Sequence, residues 1–201
     1  RAKDRKQVDE VSARVLLCAR AAAMATETRL KHTLLTGVYP RLPNDAFAEY
    51  ADQCFRLMGP PRFDARDTRT ARRLGIKGEF PDKVEPIRKD PYRGSTDEDN
   101  VSWLAPLICL QVACWPKDVA THHRDTTRLG KTGFAHRGMA HAGKLLALAA
   151  VGLMADPKAL GSIRREFRKR TRDFAYDPLV SARQAPPVRT GRPQSPSAPQ
   201  S

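Results

Sequence analysis

The sequence predicts an α/β protein, because helical and strand-like apolar patterns alternate along its 201 residues. Three observations lead to this prediction. In Val8–Met24, apolar residues recur at spacings of three and four, which is typical of an amphipathic helix with a buried face. Thr26–Tyr39 is rich in leucine and threonine and stops at a proline, as strands do. The apolar stretch within Val101–Trp115 has the length and composition of a buried strand.

The remaining helices are recognised by their capping residues. Asn44 and Asp64 are good N-caps, and Asp156 is an N-cap followed by proline at the first helical position. Gly59 and the two prolines after it end the helix that follows Asn44. The predicted helices are Ala46–Met58, a basic helix from Asp64 to about Leu74, Gly138–Met154, and a helix from Pro157 to about Arg172.

The net charge of +14 raises the question of nucleic acid binding. Aromatic residues make up only 6% of the chain, and no basic face is interleaved with the Phe or Tyr that base stacking needs. No zinc-finger spacing or helix-turn-helix pattern is present. A solvated basic surface is therefore the expected interpretation, with a nucleic-acid-associated protein as the alternative that charge alone suggests.

The cysteines and the longest apolar run bear on where the protein resides. Cys18, Cys54, Cys109 and Cys114 fall in apolar patterns without a Cys-x-x-Cys pair, so we expect buried, reduced thiols and a cytoplasmic location. Leu145–Met154 is too short to span a bilayer of about 30 Å. The chain starts at Arg1 without an apolar leader, so we expect a soluble portion of a longer protein.

Polar side chains cluster in three loops that border the predicted buried elements, which is a common arrangement at active sites. The loops are GSTDEDNVSW from Gly94, ATHHRD from Ala120 and GKTGFAHRGM from Gly130. A neighbouring pair of histidines such as His122 and His123 can be an exposed pair or can supply a metal ligand. His136 either caps the following helix or supports a site, and Asn44 is an N-cap whose amide could also face a ligand.

These motifs resemble the C-terminal part of the metal-dependent amidohydrolases, a family of aminoacylases, glutamate carboxypeptidases and auxin-conjugate hydrolases. The resemblance covers about Val8–Val180, is most similar to the p-aminobenzoyl-glutamate hydrolase branch, and also includes YPRLPND from Tyr39. It implies a fragment of a two-domain fold, with half of an α+β lid and part of a two- or three-layer, zinc-peptidase-like α/β catalytic domain. The implied organisation is a lid and dimerisation segment at 1–75, a connection at 76–93 and catalytic residues at 94–180. From Ser181 onward Pro, Gln, Ser, Arg and Gly dominate, which predicts a disordered tail at 181–201.

The resemblance also implies roles for individual residues. His122, fourteen residues before His136, corresponds to the last metal ligand of the family, and His123 takes that role if the register slips by one. Asn44, His136 and Asp97 correspond to groups that contact the substrate or support the ligands. The implied cofactor is a divalent metal, zinc or manganese, bound only by a full-length protein, because the other ligands belong to the N-terminal half of the family's catalytic domain.

The implied reaction is hydrolysis of the amide bond in N-acyl or N-aroyl amino acids, and we expect this chain alone to be inactive. The implied partners are a small amide substrate and a second protomer, identical or different, that contacts the lid, with no membrane. The branch has Val-Gly-Asp where this chain has Glu98-Asp99-Asn100, and a tryptophan where it has Arg124. These departures leave open the alternative of an inactive, truncated relative that acts through dimerisation or binding.

Overall fold

All regular secondary structure is helical in the part of the chain that the computed structural model describes, which is residues 2, 4–87, 94–181 and 183–185. Seven helices occur there, three of them with fewer than ten residues. Their bounds are α1 Arg5–Ala25, α2 Asp45–Met58, α3 Ala65–Arg73, α4 Glu98–Val101, α5 Arg124–Gly130, α6 Gly133–Ala155 and α7 Pro157–Thr171.

The predicted α/β class is therefore wrong, since neither Thr26–Tyr39 nor Val101–Trp115 forms a strand. A strand exists only when a neighbour completes its backbone hydrogen bonds. In the described chain, none of residues 106–115 donates a backbone hydrogen bond to another residue's backbone. Val101 instead ends the short α4. The composition of these two segments favours strands, but a strand also needs a second strand to pair with.

The helix predictions are confirmed, because local capping determines where these helices begin. Asn44 accepts a hydrogen bond from the backbone of Phe47 and starts α2. Asp64 and Asp67 form a capping box at the start of α3, and the pKa of Asp64 is lowered by backbone N–H donors. Two starts differ: α1 begins at Arg5, where Asp4 is the N-cap, and α6 begins at Gly133, where Thr132 is the N-cap.

The face of α1 that was predicted to be buried is exposed. α1 has no buried residue, and Val11 and Val15 are 52% and 60% exposed. Cys18 on the same face is exposed, as is Cys109, so the prediction that all four cysteines are buried is wrong. Helical periodicity gave the correct helix, but within the described chain no other helix covers that face.

The core consists of two apolar clusters, and α6 contributes residues to both. One apolar cluster surrounds Phe134, and Leu129 and Ala71 belong to it. The other surrounds Leu145 and brings in Cys54 of α2. α2, α5 and α7 all pack against α6. Among the described helices, α6 alone is long and apolar enough to cross a membrane, which the prediction from Leu145–Met154 had excluded. It packs against three other helices, and 17% of its most apolar stretch is buried.

Glu166 of α7 joins the two helices that cover α6. Its carboxylate accepts hydrogen bonds from the backbone N–H groups of Asp45 and Ala46, each at 2.8 Å, at the start of α2. Arg170, one turn further along α7, forms ion pairs with both Glu166 and Asp45. Burial alone would raise the pKa of Glu166, but the two backbone donors and Arg170 lower it overall.

We expect this carboxylate to make stability depend on acidity. Because its folded pKa lies below the usual 4.5, its contribution is complete above that pH and is lost as the pH falls through the folded value. Urea unfolding between about pH 6 and about pH 3 should show the native chain losing more stability than Glu166→Gln, which already lacks the charge. Equal losses in the two proteins would contradict the assignment.

The predicted domain boundaries at residues 75 and 94 stay predictions. Most of the predicted tail, residues 182 and 186–201, and the end of the predicted connection, residues 88–93, lie outside the described residues.

Candidate functional site

The segment that leads into YPRLPND contacts the end of the GSTDEDNVSW loop. The loop at residues 37–42 lies against residues 97–103, and four of the hydrogen bonds between them join a side chain of the second segment to the backbone of the first. The Trp103 indole donates to the Pro40 carbonyl at 2.7 Å. The buried Ser102 hydroxyl accepts from the Leu42 N–H at 2.9 Å. We call these paired loops the loop clamp.

Asn100 lies at the centre of the loop clamp. Its side-chain oxygen accepts from the Tyr39 N–H at 2.8 Å, and its amide nitrogen donates to the Gly37 carbonyl at 3.2 Å. The side chain thus imitates one paired residue of a β-ladder. A carboxylate could make the first of these bonds but not the second, because an ionised Asp has no donor. The departure from the family pattern at this position therefore has a structural reason.

Replacing Asn100 with the aspartate of the resembled pattern should destabilise the fold. Asn100→Asp should lower the free energy of unfolding by about 1–3 kcal/mol, because a carboxylate then faces the Gly37 carbonyl. Chemical denaturation of Asn100→Asp beside Asn100→Ala would test this. If the aspartate variant were as stable as the native chain, the donor role of the amide would be excluded.

Arg41 and Asp99 form the charged part of the loop clamp. The Arg41 Nε lies 2.6 Å from a carboxylate oxygen of Asp99, which is buried, and Arg41 also contacts the exposed Glu98 at 3.2 Å. Burial alone would lower the pKa of Arg41, but the hydrogen bond and the charge of Asp99 raise it overall. Arg41 was not among the site residues predicted from the sequence. The signal that could have indicated it was the opposite charge of the arginine in YPRLPND and the three acidic residues in STDED.

An aromatic cluster closes one side of the loop clamp. Tyr39 packs edge-on against Phe174, with ring centres 5.5 Å apart, and Phe174 lies 4.1 Å from the Trp103 ring. The Tyr39 hydroxyl donates to the Asp177 carbonyl at 3.0 Å, while Arg5 of α1 donates to that hydroxyl at 3.3 Å. The cluster thus connects the start of α1, the loop clamp and the segment after α7.

The histidine loop lies at the surface before α5. His122 is exposed and has φ of 60°, a left-handed conformation that costs a non-glycine residue about 1 kcal/mol. His123 is the N-cap of α5: its Nδ1 accepts from the Asp125 N–H and lies 3.1 Å from the Asp125 carboxylate. His123 and Asp125 have a His-x-Asp spacing that sequence reasoning missed.

The other predicted site residues lie apart. Asn44 is buried, and both ends of its amide are used within the protein: one caps α2 and the other donates to the Ile163 carbonyl at 3.0 Å. Asp97 and His136 are exposed. Across the described residues, no hydrogen bond or ion pair joins any two of the five predicted site residues. Their functional roles stay predictions.

A metal centre requires several donor side chains to lie close together. Within the described ranges, no group of three or more His, Cys, Asp or Glu side chains is arranged to hold a metal ion. A divalent ion in a protein typically takes at least three such ligands.

The chain has measurable similarity to a characterised hydrolase. It is 24% identical over 208 aligned residues to one of the subunits of p-aminobenzoyl-glutamate hydrolase from Escherichia coli strain K12. The match covers 88% of this chain and 43% of the relative, so the chain spans less than half the length of that relative. No protein-family model matches the chain, and no solved structure matches it.

This similarity supports a relationship with the amidohydrolases and nothing narrower. It agrees with the motif resemblance, and the matched share is large enough to include both loops of the loop clamp together with the histidine loop. The hydrolase-like character rests on this distant relative, while substrate, metal and quaternary arrangement belong to the proposal below.

Proposed function

We propose that this chain is the C-terminal portion of a metal-dependent amidohydrolase that cleaves amide bonds in N-acyl or N-aroyl amino acids. The observation that carries the proposal is the match across 88% of the chain to a component of p-aminobenzoyl-glutamate hydrolase. In the proposed enzyme, this portion contributes one ligand and the scaffold that holds it, and the remaining ligands for zinc or manganese come from outside the matched region.

His122 is the residue we assign as that ligand. Its backbone is held in an uncommon left-handed conformation at the surface, and backbone strain of this kind is concentrated at functional sites. His123 is engaged with α5 and Asp125, which leaves His122 as the imidazole of the pair without a capping role. An exposed His122 is also accessible to ligands supplied by another part of the enzyme.

Asn44, His136 and Asp97, which belongs to the loop clamp, would support this site in different ways. Asn44 is committed to packing α2 against α7, so its contribution is to hold those helices together. His136 and Asp97 are exposed and would face a substrate once the rest of the site is present. We place the enzyme in the cytoplasm as a dimer, identical or mixed, that acts on a small amide and not on a membrane or nucleic acid.

A chimeric enzyme tests the proposal directly. The matched region of the Escherichia coli relative would be replaced by this chain, and hydrolysis of p-aminobenzoyl-glutamate would be followed with added zinc or manganese. We expect metal-dependent activity in the chimera, and a loss of about 100-fold or more in His122→Ala because an active-site metal loses a ligand. The chain alone should show no activity.

Two matched controls decide whether His122 acts as proposed. His123→Ala should lose helix capping but keep most activity, and the exposed His32→Ala should change nothing. Metal content measured on the purified chimeras separates loss of metal from loss of fold. Full activity in His122→Ala, or a stronger effect of His123→Ala at equal folded fraction, would refute the assignment.

A second candidate is an inactive relative that works by binding. It is favoured by one observation: Asp99 and Asn100, which depart from the family pattern, serve the fold of this chain. A correctly folded chimera that binds its partner protomer yet hydrolyses no amide with either metal would select this candidate.

A further inference from the structure

A groove with positively charged walls lies between the end of α2 and one face of α6. Its volume is about 400 Å³. Three of the side chains that line it carry a positive charge: Arg62, Arg137 and Lys144. Among the described residues, no Asp or Glu side chain lines this groove. We call it the basic groove, and its charge favours a negatively charged ligand.

The rest of the wall is mostly apolar and rigid. Met58, Pro60 and Pro61 form the side at the end of α2, and Ala140 lies on the α6 side. Proline rings fix the backbone φ, and Pro61 is buried, so this side of the groove keeps its shape. An inorganic anion gains nothing from such a wall, whereas an organic anion removes the apolar surface of its own body from water there. The basic groove therefore fits an organic anion.

Three of the groove residues occupy one face of α6. Arg137, His141 and Lys144 are separated by four and three positions, which places them in a row along a helix. With a rise of about 1.5 Å per residue, the Cα atoms of Arg137 and Lys144 lie about 10 Å apart along the axis. The groove is therefore long enough for a single aromatic ring that bears a carboxylate.

The fold holds two of the polar groups of the groove in place. The buried Asp67 accepts a hydrogen bond from a terminal nitrogen of Arg137. The Arg137 side chain is still 50% exposed and an arginine has five N–H donors, so others remain for a ligand. The His141 Nε2 lies 3.0 Å from the Gly59 carbonyl oxygen, which only accepts, so this nitrogen carries a hydrogen and ties α6 to the turn after α2. Groups that are already ordered lose less entropy when a ligand binds.

Arg62 and Lys144 give the groove its excess positive charge. Asp67 balances Arg137, but neither Arg62 nor Lys144 forms an ion pair with another described residue. Both residues are exposed. A carboxylate in the groove would pair with these two cations without displacing a contact of the fold.

We propose that the basic groove binds a small aromatic carboxylate. The inference rests on the proposed function and deepens it, since hydrolysis of an N-aroyl amino acid releases an aromatic acid and a free amino acid. Of the two, the aromatic acid fits the groove: its ring lies on the wall of Met58 and the prolines, and its carboxylate faces the cations. A free amino acid carries an ammonium group, which the cations repel.

A titration of the chain alone with p-aminobenzoate tests the proposal without metal or turnover. The backbone amide NMR signals of residues 140–144 should shift and saturate with a dissociation constant on the order of 1 mM, which is typical of a ligand this small. p-Aminobenzamide has the same ring and no charge, and it should bind about tenfold more weakly. Raised salt should weaken the binding of p-aminobenzoate, because salt screens charges on exposed side chains.

Removing one groove cation at a time checks which residues bind the carboxylate. Lys144→Gln and Arg62→Gln should each raise the dissociation constant about five- to tenfold, because a charge-assisted hydrogen bond is lost. Both positions are exposed, so the fold should remain, which thermal unfolding would verify. Lys158→Gln is the matched control: this exposed lysine of α7 lies outside the groove, and its loss should leave the dissociation constant unchanged.

Four results would overturn the groove proposal: no saturable binding of p-aminobenzoate, equal binding of p-aminobenzamide, equal binding of inorganic phosphate, or an equal loss in Lys158→Gln and Lys144→Gln. The last two would mean that the chain attracts anions through its general charge. The chimera separates this proposal from the catalytic one. Binding by the chain together with an inactive chimera would keep the groove and refute the catalytic proposal, and an active chimera without binding would do the reverse.

Discussion

Arg41→Ala should lower the free energy of unfolding by about 3 kcal/mol, a large share of the stability of a chain this size. The reason is the carboxylate that remains: the Asp99 side chain is only 4% exposed, and without Arg41 its charge is buried and unpaired. Denaturant unfolding measures the loss, and opening of the loop clamp should also be visible as a change in Trp103 fluorescence, since that indole belongs to the loop clamp.

Arg172→Ala is the matched control for this prediction. Arg172 pairs with Asp173 at 2.8 Å, about as closely as Arg41 pairs with Asp99, but the Asp173 side chain is 82% exposed. Its removal should cost at most about 0.5 kcal/mol, because water stabilises the remaining charge. In Arg41→Ala/Asp99→Ala, part of the loss should be recovered, since no buried charge is left over. Equal effects of the two arginine variants would show that Asp99 is solvated.

Gly138→Ala should lower the free energy of unfolding by about 2 kcal/mol, despite the better helix propensity of alanine. A Cβ at this position would lie 2.8 Å from the Cys114 sulfur and 2.9 Å from the Cys114 Cα, and would also meet the Ala113 carbonyl oxygen. Backbone atoms cannot move away cheaply, so α6 would be pushed away from residues 113–114. Thermal or urea unfolding would measure the cost.

Gly143 provides the control in the same helix, about one and a half turns further on. A Cβ there meets nothing within 4 Å, so Gly143→Ala should raise stability by up to about 1 kcal/mol through helix propensity alone. The two substitutions are chemically identical and differ only in what the new methyl group contacts. If Gly138→Ala were also stabilising, the close approach of α6 to residues 113–114 would be refuted.

How much of the candidate site the sequence predicted depends on the range of the interactions. The Asn44 cap was predicted and is confirmed, because it acts on a residue three positions away. Arg41 and its contacts were missed, since they join positions almost sixty residues apart that no local pattern relates. The role of Asn100 was missed for the same reason: it was interpreted only as a departure from the resembled pattern, and its partners are backbone groups of a distant loop.

The sequence by itself determined the five longest helices and most of their ends, but not the short α4 and α5. Helix hydrogen bonds and caps are closed within four residues, so periodicity and capping residues are sufficient to specify them, as at Asp64 and Asp156. Tertiary structure alone decided which apolar faces are covered and which strand-like segments are paired. α1 and residues 106–115 have the composition for burial and for pairing, respectively, but both depend on a neighbour distant in sequence, and the described chain does not supply it.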